Sequence, residues 1–122
     1  MPPLTVKPVG SAIGAVRGLK FNKVIATGQK HHLLSTKIMR TLNTHPTLKG
    51  VYNRNDTRFI YRAADGASHR GYQHWHRLYD SRVQNWLIRE SSATPKKFEI
   101  YLHRIHQSGE LKTRIPNVNL ID

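Results

Sequence analysis

The stretch from Gly71 to Glu90 repeats its apolar and aromatic residues at a helical period. Tyr72, His76, Tyr79, Val83, Trp86 and Leu87 recur at spacings of three and four, so a helix here must hide one face. The chain has 122 residues, enough for one domain and too few for two, so every other element must be laid against that helix. Only 38% of the residues are hydrophobic, and each remaining segment has to contribute an apolar face. Trp75 and Trp86 both fall within this segment. Their place in its periodicity reads as core rather than as platforms for stacked bases.

The rest of the chain supplies shorter signals. Residues 1–20 hold Pro2, Pro3, Pro8, Gly10, Gly14 and Gly18 without sustained periodicity and read as a linker or leader, which leaves 21–122 as a single domain. Lys23-Val24-Ile25-Ala26 predicts a short strand closed by Thr27-Gly28-Gln29, and His31-His32 follow. Ser35-Thr36 caps a short helix carrying Ile38, Met39 and Leu42 that ends before Pro46. Val51-Tyr52 and Phe59-Ile60-Tyr61 predict a hairpin closed by Asn53-Arg54-Asn55-Asp56. Ser68 is placed to cap the long helix. Thr94-Pro95 opens a last helix with Phe98, Tyr101, Leu102 and Ile105 that stops at Gly109, before an extended tail. The class is α+β, a small and mainly helical domain.

Charge narrows the partners. Twenty Lys and Arg stand against seven Asp and Glu, a net +13. The cations run from Arg17 through Lys37, Arg40 and Arg82 to Arg114 rather than filling one tail. That pattern fits a folded domain gripping a polyanion, nucleic acid above all. The absence of cysteine removes disulfides, thiolate metal sites and thiol catalysis. No apolar run is long enough to span a membrane, and no signal-peptide pattern opens the chain.

Eight histidines give this basic surface a chemistry. On an extended segment His31 and His32 point opposite ways, so one can face a metal while the other faces substrate or core. His69, His74 and His76 cluster where the long helix begins. Phosphodiester hydrolysis needs a divalent ion on the phosphate and a base for water, and imidazole serves either purpose. His69 and His76 are separated by about 10.5 Å of rise if both are helical, so sharing an ion requires His69 to lie on the loop before Gly71. His74 lies about 200° around the helix from His76, so at most one of them belongs to the site. Lys30, Arg70 and Arg77 flank these histidines and are placed to bind phosphate.

His31-His32-Leu33-Leu34, the hairpin signal, then His69-Arg70-Gly71 and a helix with Trp75-His76 and Tyr79 together resemble the HNH/endonuclease VII superfamily. Within it, they resemble the C-terminal nuclease domains of Rhs-type polymorphic toxins, including the group named for an Ala-His-His motif; Lys30 stands where that group has alanine. The resemblance covers roughly residues 30–87. It implies a ββα-metal (His-Me finger) core holding one divalent ion such as Mg, Mn, Zn or Ni, with His31, His69 and His76 as ligands and His32 as general base. Asn53 and Asn55 are the candidates for the family's middle Asn.

The resemblance further implies a DNA endonuclease forming the C-terminal part of a larger secreted bacterial effector. It would act in the target-cell cytoplasm and be neutralised in the producer by an immunity protein, which the basic surface predicts to be acidic. Two other readings fit the composition: a non-catalytic nucleic-acid-binding module, and a metal-independent RNase using His and Arg as acid, base and phosphate clamp.

Overall fold

The computed structural model describes residues 23–67 and 73–121. In chain order they form strand β1 (Lys30–His32), helix α1 (Thr36–Asn43), a 3-10 turn (Thr57–Phe59), strand β2 (Ile60–Arg62) and helices α2 (His74–Arg89), α3 (Pro95–Ile105) and α4 (Gly109–Arg114). The two strands pair antiparallel with His31 opposite Tyr61. The result is the small, mainly helical α+β fold expected. Residues 1–22 and 68–72 lie outside the described residues. The reading of 1–20 as a leader, the Ser68 cap, and His69 and Arg70 fall there.

Two of the helices, α1 and α3, form where their caps predict. Ser35 Oγ accepts the Ile38 N–H at 3.2 Å to start α1, and Thr94 Oγ1 accepts the Lys97 N–H at 3.2 Å ahead of Pro95 in α3. The core gathers Leu33, Leu34, Ile38, Leu42, Phe59, Val83, Leu87, Phe98 and Leu102 around α2. Trp75 is buried there, and Trp86 packs at its edge with its ring stacked on Tyr101 at 4.6 Å. Among the described residues, no helix is long and apolar enough to cross a membrane.

The strand expected at Phe59-Ile60-Tyr61 forms at residues 60–61 as part of β2, and the other strand expectations do not hold. Residues 23–26 form no strand: Val24 and Ile25 are exposed, and the Asn117 side chain takes both Val24 backbone groups at 2.7 Å, as a strand partner would. Strand structure begins only at Lys30. Residues 51–52 do not pair with 59–61 either. Asn53 Oδ1 accepts the Asn55 N–H at 2.8 Å and Asp56 Oδ1 the Arg58 N–H at 2.9 Å, so the polar run spends itself on local turns. Tyr52 meanwhile packs against Phe59 and Phe98 and donates to Glu99. β2 is therefore left for β1, across an intervening helix.

The pairing continues before the strands, where Gly28 N–H donates to Ala63 O at 2.9 Å. A β-carbon at Gly28 would sit 2.4 Å from Asp65 O, so only glycine permits this approach. At the other end, Gly109 does not terminate the chain's helical part. It opens α4 with φ 68°, and the tail expected to be extended is helical to Arg114.

Candidate functional site

Strand alternation sorts the adjacent histidines. His31 is buried, 1% exposed, facing α2, whereas His32 is half-buried. From α2, Trp75, His76 and Tyr79 converge on His31, with ring centroids 5.6, 5.2 and 5.8 Å away. The His31 and His76 rings meet edge-on at 79°. Behind His76, one helical turn on, Asp80 is 2% exposed and places Oδ2 3.7 Å from His76 Nδ1. This is ion-pair range rather than a short hydrogen bond.

Three ties hold this geometry, all running from α2 to the segment that carries His31. Tyr79 donates to Leu33 O at 2.7 Å. Ser35 donates to Asp80 Oδ1 at 2.7 Å while also capping α1. Gln84 donates to Lys37 O at 3.1 Å and to Thr41 Oγ1 at 3.0 Å. Trp75 is itself fixed by its N–H to Gln73, while the Arg114 guanidinium lies 5.2 Å from the indole centroid.

The structure thus brings His31 and His76 together and leaves several other residues elsewhere. His74, the first residue of α2, is exposed, so of the two helix histidines His76 is the one beside His31. His32 lies nearer Arg54 and Lys30; burial first, then those two positive charges, hold its imidazole below the usual histidine value. Lys30 and Arg77 are exposed. Asn53 and Asn55 are exposed in the turn they close on each other and make no approach to the pair that the described geometry records. His69 and Arg70 lie outside the described residues.

The sequence reading missed Asp80 and gave Ser35 only its capping role. The signal for Asp80 was the His76-x-x-x-Asp80 spacing, which stacks the two side chains on one helix face.

The donor set can be tested against a metal ion. Two imidazoles bound through nitrogen to one tetrahedral ion at about 2.1 Å place their ring centroids about 5 Å apart, and His31 and His76 stand at 5.2 Å. A carboxylate behind one ring nitrogen is the usual outer partner of a ligating histidine, as Asp80 is to His76 Nδ1. Nitrogen and oxygen donors of this kind accept Zn, Ni, Mn or Mg. Among the described residues, no group of three or more His, Asp or Glu side chains gathers as a metal cage. The described residues therefore offer two imidazoles and a supporting acid.

No family model matches the chain, and no curated protein or solved structure matches it.

Proposed function

We propose that this protein is a metal-dependent phosphodiesterase, a DNA endonuclease of HNH type, with its reaction centre at His31 and His76. The observation that carries the reading is the 5.2 Å meeting of a strand histidine and a helix histidine, backed by Asp80, on a chain of net charge +13. β1, β2 and α2 would form the ββα-metal unit, with α1 inserted between its strands. His31 and His76 would hold the ion together with His69, and the ion would supply charge stabilisation at the scissile phosphate. Asp80 orients the His76 ring. His32, on the opposite face of β1 from His31, would be the general base; burial and the charges of Arg54 and Lys30 lower its pKa, which favours the neutral imidazole that can accept a proton from water.

In this reading the domain is the toxic C-terminal part of a larger secreted bacterial effector. It acts in the target-cell cytoplasm and is restrained in the producer by an acidic immunity protein.

The test is nicking of supercoiled plasmid. Wild type cleaves with a divalent ion and stops in EDTA, and His32→Ala loses cleavage while keeping its circular dichroism spectrum. Full activity of His32→Ala would remove the assigned base. A second reading has its own observation, since a histidine with an acid at its Nδ1 is also the arrangement of a metal-independent base. Cleavage of RNA that persists in EDTA and disappears in His76→Ala would favour it.

A further inference from the structure

Of the residues first placed to bind phosphate, Arg70 lies outside the described residues, and Lys30 and Arg77 are not among the described residues that line the space beside His76; residues of α1 are. A cavity of about 340 Å³ opens between α1 and α2, lined by Thr36, Lys37, Arg40, His76 and Asp80. That is within the size range of small-ligand pockets. Lys37 and Arg40 are three residues apart on α1, so they project from one face, while Ile38 and Leu42 are buried in the core. Both cations are exposed.

Asp80 is the one acid among the lining residues. Its carboxylate is 2% exposed, with Oδ1 accepting the Ser35 hydroxyl, so the mouth of the cavity is positive. Three other acids are engaged elsewhere: Glu90 with Lys97, Glu99 with Arg58 and Glu110 with Arg114. The position of α1 is set by Gln84, which holds Lys37 O and Thr41 Oγ1. The two cations are therefore presented to His76 from a backbone already fixed against α2, so that binding has to order their side chains but not the helix that carries them.

We propose that Lys37 and Arg40, with the Thr36 hydroxyl, form the phosphate cradle of this site, gripping a nucleic-acid phosphodiester beside His76. An ammonium and a guanidinium supply hydrogen bonds charged on both sides, the guanidinium able to grip two oxygens at once, and the hydroxyl supplies one from a neutral donor to the charged phosphate. The contacts are to the backbone, so they carry affinity and register without sequence preference. The assignment rests on the phosphodiesterase reading of the site, but its test does not need turnover.

The experiment is equilibrium binding of a short labelled DNA duplex and of a single-stranded RNA of equal length, both in EDTA, across a salt series. Lys37→Ala/Arg40→Ala should weaken binding by about tenfold or more and lower the slope of log affinity against log salt by about 2 on the duplex. Lys49→Ala/Lys96→Ala, which removes the same charge from exposed sites elsewhere, should change either quantity much less. The swap Lys37→Arg/Arg40→Lys should recover most of the affinity, which separates loss of the cradle from loss of the fold. A larger effect on duplex or on single strand identifies which backbone the cradle takes.

Failure of wild type to bind either probe would overturn the cradle, as would a double variant no weaker than the control pair. If binding depends on the cradle but no cleavage occurs under any condition, the nuclease reading fails and the cradle stands. If cleavage occurs while binding ignores Lys37 and Arg40, the reverse holds.

Discussion

Two sets of histidines in this molecule are shielded from water and are used in different ways. His45 and His106 are bound into the backbone. His45 Nδ1 accepts the N–H groups of Thr47 and Leu48, both at 3.2 Å, so Nε2 carries the proton and donates to Glu90 O at 2.9 Å. The ring thus ties the loop after α1 to the end of α2. His106 donates from Nδ1 to Leu102 O at 2.7 Å, at the end of α3, and packs edge-on against Tyr79. His31 and His76 instead meet each other, with Trp75, Tyr79 and Asp80 around them. A buried histidine is thus not a site by virtue of burial. What sets the second pair apart is that side chains with chemistry of their own surround it.

That contrast can be broken or sharpened by substitution. The largest effect expected is on activity: His76→Ala should lower plasmid nicking about a thousandfold or more, with the fold retained by circular dichroism. Nicking at wild-type rate would place His76 with the structural pair. Next in size is His45→Ala, which strands two N–H donors and a carbonyl in a buried position. A loss of about 3 kcal/mol in urea unfolding is expected, with turnover per folded molecule unchanged.

Ser35→Ala falls between the two classes because one hydroxyl serves both. Loss of the α1 cap and of the bond to Asp80 should cost about 2 kcal/mol. It should also weaken metal affinity, by less than loss of Asp80, the outer partner itself, which would cost about tenfold or more. A stability loss with unaltered metal affinity would make Ser35 purely structural.

The smallest effect near neutrality belongs to His106. Burial lowers its pKa to about 4 from the ordinary 6.5. The unfolded chain therefore takes up the proton first as pH falls. Its contribution to stability is complete above pH 6.5 and declines by about 1.4 kcal/mol per pH unit from there towards pH 4. His106→Asn, which keeps a donor near the Nδ1 position, should flatten the fall in melting temperature over that window. An unchanged pH slope would mean that another group controls it.

Helices α1, α2 and α3 were legible in the sequence because their signals are local, whereas α4 was not. Ser35, Thr94-Pro95 and the period of 71–90 each fix a boundary or a face without reference to distant residues. The strands were legible only at Phe59-Ile60-Tyr61, whose last two residues open β2. Val24-Ile25 has strand-forming residues but no partner strand among the described residues, and Asn117, more than ninety residues away, takes the Val24 backbone groups. Val51-Tyr52 lost its expected pairing to side-chain turns at Asn53 and Asp56. The site was half legible for the same reason. Adjacent histidines on extended chain announce two opposite faces, and the helix phase separates His74 from His76. The role of α1 was hidden because its approach to α2 depends on Ser35–Asp80 and Gln84–Thr41 contacts across more than forty residues. Composition points to a polyanionic partner but not to the residues that would meet it, so the cradle proposed on this helix had no signal in the sequence.

The central claim is that His31 and His76 together form a metal site. It is tested most directly by following the histidine ring nitrogens by NMR while a divalent ion such as zinc is added to the whole chain. The His31 and His76 ring signals should shift together and saturate at one equivalent, while those of His45 and His106 stay in place. Ring signals of His31 and His76 that remain unmoved at saturation, or an ion taken up equally well by a His31→Ala/His76→Ala variant, would contradict it.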